Sequence, residues 1–377
     1  MTPDLEDARA REVARLDAEI LEAIGRGWDD PLAEDEFDRL ARDVFAHQFR
    51  FNPVYRQFCL LQGASAPADV EDWRAIPQVP TGAFKVGRWA TFPPEADRAA
   101  FRTSGTTGSD RGIHSFDTLG LYNAAIVASA RRYLVPDRER IRCLFLSPEP
   151  RRAADSSLVH MFAVFREAIG APGTAFLLTG ERGESGAEPL AAALERAMED
   201  GQPVLLAGAA LAFQHALGGA VGRAWSLPAG SRAMLTGGFK GFRASADPAR
   251  LADTIEEQLG IARAFQAAEY GMTELSTQYY DAGLRRALGF EDPARGFAVP
   301  PWARVRIVEP GGAREVPHGE LGAIVHYDLA NRGSALAVQT SDLGAAPGPH
   351  SFELRGREPG AEARGCSLAA DLWLGGA

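Results

Sequence analysis

Between residues 122 and 259 the chain switches repeatedly between two hydrophobic periods. That alternation restricts its fold more than any other feature. Residues 122–133, 160–169, 188–198, 211–217 and 248–259 carry helical spacing, whereas 142–146, 174–178, 203–207 and 232–236 are short apolar runs with strand character. Strands separated by helices predict an α/β fold, doubly wound, with parallel sheets covered by helices on both faces. Upstream, Leu5, Val13, Leu16, Ile20 and Ile24, then Phe37, Leu40, Val44 and Phe45, recur mostly at three- and four-residue steps and predict helices through the first 60 residues. Residues 76–80 read as extended. Beyond Pro300 the alternation in 303–308 and the Gly/Pro turns predict a small antiparallel or barrel-like unit. The expected division is a helical lead-in over 1–95, an α/β core over 96–300, a β-rich unit over 301–365 and a tail over 366–377.

Composition narrows the function. The 377 residues are 46% hydrophobic and carry a net charge of −10, which argues against an extended nucleic-acid face and against adsorption to anionic membranes. No apolar run reaches the roughly 20 residues of a membrane span, and the acidic N-terminus has no signal-peptide core, so the cytoplasm is the expected compartment. Cys59, Cys143 and Cys366 are too few and too scattered for a disulfide framework or a zinc cluster. Cys59 and Cys143 sit in apolar runs and are expected in the core. Lysine occurs only at Lys85 and Lys240, every other member of the 40 basic residues being arginine. A site that needs a compact ammonium does not tolerate that exchange, which singles out Lys240 and, less strongly, Lys85.

Five motifs carry chemistry. Thr103-Ser104-Gly105-Thr106-Thr107-Gly108 combines hydroxyl donors with glycines that let backbone approach an anion, and Arg111 follows with a permanent positive charge. It is no Walker A loop, since no Gly-Lys-Ser/Thr stands at the required spacing. Taken alone, such a run reads equally as a solvated turn. Tyr270-Gly271-Met272-Thr273-Glu274 places a hydroxyl and a carboxylate beside a bend, able to hold a phosphate and Mg²⁺, or simply to start a helix. The strand at 232–236 runs into Gly237-Gly238, with Lys240 just beyond, at the end of a parallel sheet where open α/β folds place ligands. Asp342, in Thr340-Ser341-Asp342, offers a carboxylate to ribose hydroxyls or to an Asx turn. Gly356-Arg357 and the stretch Arg364-Gly365-Cys366-Ser367 complete the series.

In this order the motifs resemble those of the ANL superfamily of adenylate-forming enzymes, which includes acyl-CoA synthetases, peptide-synthetase adenylation domains and firefly luciferase. Thr103–Gly108 is similar to that superfamily's phosphate loop, Tyr270–Glu274 to its Tyr-Gly-x-Thr-Glu motif, Thr340–Asp342 to its Thr-Gly-Asp motif with Ser341 for glycine, and Gly356-Arg357 to the Gly-Arg before its hinge. The chain ends at Ala377, where the superfamily's large N-terminal domain continues into a small lid domain bearing a catalytic lysine. That ending, the lead-in to Lys85, Arg111-Gly-x-His114 and the terminal Arg-Gly-Cys-Ser-Leu resemble the LuxE-type acyl-protein synthetases of bacterial luminescence.

The resemblance implies activation of a fatty or aryl carboxylic acid by ATP and Mg²⁺. An acyl adenylate forms, pyrophosphate leaves, and the acyl group passes to a thiol. The thiol is Cys366 itself; the alternative is transfer to an external acceptor, a carrier-protein thiol, CoA or an amine, with Cys366 uninvolved, and a degenerate nucleotide-binding module is the further alternative. It also implies that 103–108 and Arg111 hold the leaving phosphates, Thr273 the α-phosphate, Glu274 the metal, Asp342 and Arg357 the ribose, and Gly237, Gly238 and Tyr270 the adenine. His160 is placed to face the acid or to serve as a hydrogen-bonded helix residue, and Lys240 to stand in for the absent lid lysine. A reductase or carrier protein is the expected acyl-accepting partner, with neither nucleic acid nor membrane involved.

Overall fold

The computed structural model describes residues 3–103, 111–179, 187–220, 222–237, 248–348 and 350–358. Helices α1 (Pro3–Arg26), α2 (Glu34–Phe51) and α3 (Pro53–Leu61) form the lead-in. Helix α2 opens on three acidic residues, which suit the positive end of its dipole, and buries Phe37, Leu40, Ala41, Val44 and Phe45 along one stripe. Asn52 caps α3, its Oδ1 accepting from the Tyr55 amide at 3.1 Å, and Pro53 occupies the first turn where its missing N–H costs nothing.

Strand β1 (Val79–Pro80) is followed by a hairpin of β2 (Ala99–Arg102) and β3 (Ile113–Phe116). Then come α4 (Gly120–Tyr133), β4 (Arg142–Leu146), α5 (Ser157–Ala168), β5 (Ala175–Phe176), α6 (Ala187–Glu199), β6 (Val204–Ala209), α7 (Ala210–Gly218), β7 (Arg232–Thr236), α8 (Pro248–Leu259), β8 (Gln266–Tyr270), β9 (Tyr279–Tyr280) and α9 (Gly283–Ala287). The sheet order is β5-β4-β6-β7-β8-β9, parallel except for the β8–β9 pair. Every residue of β6 is buried, as expected of a strand covered on both faces. The extended run expected over 174–178 shortens to two paired residues at this sheet edge.

The remaining strands are β10 (Phe297–Ala298), β11 (Ala303–Val308), β12 (Gly322–Asp328), β13 (Ala337–Gly348) and β14 (Ser351–Arg357). They form a second sheet in the order β10-β14-β13-β12-β11, antiparallel throughout, to which β1 adds in parallel beside β13. Among the described residues, then, one six-stranded sheet is mainly parallel and the other mainly antiparallel, beside the two-stranded hairpin sheet of β2 and β3. One apolar core surrounds the parallel sheet, and a second joins α1 and α2 to the antiparallel sheet. Among the described residues no helix is long and apolar enough to cross a membrane.

Candidate active site

The carboxyl ends of β7 and β8 organise the site. Strand β7 ends in Thr236 and then Gly237, whose φ of 70° is open to glycine at little cost. Thr236 pairs in register with Glu269 on β8, and its hydroxyl donates to that buried carboxylate. Gly271 follows β8; a Cβ there would lie 2.5 Å from Glu269 Oε1, so a larger residue would have to displace that carboxylate from Thr236. The chain then delivers Thr273 and Glu274, both buried. Thr273 Oγ1 lies 3.2 Å from Ser157 Oγ at the start of α5 and 3.5 Å from the Arg102 carbonyl on β2.

The hairpin of β2 and β3 is clamped at its base. Thr103 and Gly112 exchange bonds: the Thr103 amide donates to the Gly112 carbonyl at 2.8 Å, and the Gly112 amide to Thr103 Oγ1 at 2.8 Å. Gly112 is glycine because a Cβ would meet the Phe84 backbone at 3.0 Å, which brings the turn ending in Lys85 against the hairpin. Arg111 donates from Nε to the Thr103 carbonyl at 2.7 Å and from Nη2 to the Arg102 carbonyl at 3.3 Å, and its Nη1 reaches Asp155 at 3.3 Å. Next along β3, His114 Nδ1 donates to the Thr273 carbonyl at 2.7 Å. Its full burial pushes the imidazole down to about 4, the carbonyl contact only partly opposing that shift, so the ring is neutral at pH 7.

On the antiparallel sheet, Asp342 stands opposite Arg357 in the β13–β14 register. Arg357 Nε lies 2.8 Å from Asp342 Oδ1, and the Tyr270 hydroxyl donates to Asp342 Oδ2 at 2.8 Å. The Asp342 amide donates to Thr340 Oγ1 at 3.0 Å, within β13 on either side of Ser341. No described non-glycine residue has a positive φ, so serine is accommodated at 341 without strain. A continuous set of contacts thus runs from the hairpin base through Thr273 to the end of β8, and from Tyr270 across to Asp342 and Arg357. His160 lies beside it on α5, its Nε2 2.7 Å from Asn123 Oδ1 and its ring between Tyr122 and Phe101. Burial lowers its pKa. Ser104, Gly105, Thr106, Thr107, Gly108, Gly238, Lys240 and Cys366 lie outside the described residues.

The model of the family described as "Acyl-protein synthetase, LuxE" matches residues 7–371. The chain belongs to that family. A relative from Vibrio harveyi, a long-chain-fatty-acid–luciferin-component ligase, is 24% identical over 313 residues, covering 81% of this chain and 78% of its own. Among solved structures, an open conformation of 2-hydroxyisobutyryl-CoA ligase with 2-HIB-AMP and CoA aligns with a TM-score of 0.61 at 13% identity, over 87% of this chain and 71% of that one. The same ligase in its thioesterification state gives a TM-score of 0.61 at 15% identity, over 87% and 69%. The fold is that of the adenylate-forming ligases, and this acyl-protein synthetase is an enzyme of the ligase class.

Arg111, which the resemblance assigns to the leaving phosphates, donates to two carbonyls and reaches Asp155 at the hairpin base. Tyr270, which the resemblance assigns to the adenine, is 2% exposed, its ring among Phe297, Phe352 and His326 and its hydroxyl donating to Asp342. Tyr279 is fully buried in the same aromatic group. Sequence reading also passed over four residues. His114 appeared only as part of a family pattern. Ser157 lies in no motif and precedes the run 160–169 that carries helical spacing. Asp328 and Asn331 stand in a stretch with no recognisable motif.

Glu274 is the one candidate metal ligand, and among the described residues no three His, Cys, Asp or Glu side chains gather as a metal cage. That donor set fits Mg²⁺, which is commonly held by one or two carboxylates, substrate phosphates and water.

Proposed function

We propose that this synthetase converts a fatty acid and ATP to an acyl adenylate with release of pyrophosphate, passes the acyl group to the Cys366 thiol with release of AMP, and then hands it to a partner protein. The observation that carries the reading is the junction at Thr273, where the hydroxyl-rich hairpin, the end of β8 and the start of α5 meet within hydrogen-bond reach. In the reaction a carboxylate oxygen attacks the α-phosphorus and the bond to pyrophosphate breaks. The protein's task is to align two anions and neutralise charge. Residues 103–108 would receive the leaving phosphates, with Arg111 holding the hairpin closed beneath them. Thr273 would donate to the α-phosphate. Asp342, fixed by Tyr270 and Arg357, would accept from the ribose hydroxyls, and Gly237 with Gly238 would let backbone approach the adenine. His160, neutral through burial, would face the acid. Lys240 would supply the compact cation at the α-phosphate. Glu274 would hold Mg²⁺, whose positive charge would offset that of the phosphates.

The acceptor is argued from the thiols. Cys59 and Cys143 are buried and their thiols are pushed up to about 12 by desolvation, which makes both poor nucleophiles. Cys366 is the remaining thiol, with Arg364 two residues away to favour its thiolate. The name of the Vibrio harveyi relative, which joins a long-chain fatty acid to a luciferin component, supports a long-chain fatty acid as substrate. ATP–pyrophosphate exchange across fatty, aryl and amino acids, followed by intact-mass measurement, tests the reading. Exchange with fatty acids and a thioester-sized mass gain are expected. Cys366→Ser should keep exchange and lose the mass gain, and Lys240→Arg should lose most exchange. A chain that exchanges pyrophosphate with no acid would overturn the activity; an unchanged mass gain in Cys366→Ser would move the acceptor elsewhere.

A further inference from the structure

The segment that carries Glu274 is held by a buried polar clamp that none of the sequence motifs contains. Asn331, in the turn after β12, donates from Nδ2 to the Glu274 carbonyl at 2.8 Å and to the Ala335 carbonyl at 2.9 Å, and its Oδ1 accepts from Ser276 Oγ at 2.6 Å. Asp328 on β12 accepts from the Ser276 amide at 2.9 Å, from Thr277 Oγ1 at 2.8 Å and from the Ala330 amide at 3.0 Å. All of these side chains are buried. The segment after Thr273 is thus pinned at Glu274, Ser276 and Thr277 by one short turn.

That turn is itself fixed from outside. Gln48 on α2 donates to the Asn331 carbonyl at 2.9 Å and the Arg332 carbonyl at 3.1 Å, while its Oε1 accepts from the Leu336 amide at 2.9 Å. Arg332 spans two carboxylates: Asp17 of α1 at 2.8 and 3.1 Å, and Asp117, next after β3, at 3.0 and 3.1 Å. His114, Ser276, Asn331 and Arg332 meet around one polar cavity of about 10 Å³, room for a single water. The same turn therefore touches the metal segment, the hairpin strand and the lead-in helices.

We propose that Asn331, locked by Gln48 and Arg332, is a positioning residue that aims the Glu274 carboxylate at the nucleotide-bound metal. The proposal rests on the reading of Glu274 as the metal ligand. A ligating carboxylate is only as well aimed as its backbone is fixed, and loss of such supporting contacts weakens metal binding about 10- to 100-fold in general.

Mn²⁺ binding in the presence of a non-hydrolysable ATP analogue, followed by electron paramagnetic resonance, tests it without turnover. Asn331→Ala should weaken Mn²⁺ about tenfold. Ser276→Ala, which removes one hydroxyl and is the gentler change for the fold, should weaken it by a smaller factor. Leu194→Ala, a core change on α6, should lower the melting temperature and leave Mn²⁺ affinity at the wild-type value. Should Asn331→Ala fail to fold, Ser276→Ala decides. Wild-type affinity in the clamp variants, with Glu274→Gln clearly weakened, overturns the positioning role and leaves the metal ligand standing. Unchanged affinity in Glu274→Gln overturns the ligand and the clamp together.

Discussion

Asp342 shows what a single carboxylate needs before it can select a ligand. Burying a charge is costly unless partners replace water, and here Arg357 and the Tyr270 hydroxyl each take one oxygen. Tyr270→Phe leaves the ring packing and removes one hydrogen bond to a charged group, worth about 1.5–3 kcal/mol. If Asp342 binds ribose, the KM for ATP should rise about tenfold while kcat changes little, as for an interaction present in ground and transition states alike. Exchange kinetics at varied ATP measure this, and an unchanged KM would detach Tyr270 from nucleotide binding. Legibility at this scale followed chain distance. Thr273, Asp342 and Arg357 could be singled out because each sits in a short motif. His114 could not, since its meaning comes from a carbonyl 159 residues away, and Asn331 could not, since its partner lies 57 residues back.

At the scale of elements, the strands of the parallel sheet were the most readable. β4 and β7 have the bounds that hydrophobic runs predict, because strands covered on both faces must be apolar along their length, and β11, in the antiparallel sheet, has the bounds that its alternation predicts. The β2–β3 hairpin was hidden; its residues are mixed in polarity, and what closes it is Thr103, Arg111 and Gly112 rather than a hydrophobic period. This hairpin is also pH-sensitive. His114 has a folded pKa of about 4 against 6.5 for the free group, so the unfolded chain takes up the proton first. Its contribution is fully present above pH 6.5 and is lost as pH falls towards 4. Between pH 7 and 5 the loss from this one ring amounts to about 2 kcal/mol. Asp328 acts in the opposite sense: burial pushes its carboxyl up to about 6, so the folded state gains relative stability as pH falls below that value. Comparing wild type with His114→Gln removes the Asp328 contribution, which both share. Denaturant unfolding at pH 7 and pH 5 should give a shallower pH slope for the variant, and parallel slopes would show that His114 is not the neutral buried ring described.

At the scale of the whole molecule, the first and last parts of the chain are one structure. The core that contains Leu16, Phe37 and Val44 also contains Ile324, Val338 and Phe352, and β1 pairs with β13 through Val79 and Val338. Helical periodicity in residues 1–60 predicts that helices form; it cannot say which surface their apolar stripes cover. Arg332 is where the union is concentrated, 1% exposed, with Asp17 from the first helix and Asp117 from the hairpin side completing its charge. Removing one partner of a buried ion pair strands the other charge, and that generally costs about 3–5 kcal/mol. Asp17→Asn should fall near the lower end, about 3 kcal/mol, because Asp117 still holds the guanidinium. Since the helices and the antiparallel sheet share a core, the loss should appear as a downward shift of a single calorimetric transition. A variant that instead shows a new early transition, with the main one unmoved, would mean that the lead-in helices fold as a separate unit. The clamp on Glu274 would then have no rigid support from Gln48 and Asp17.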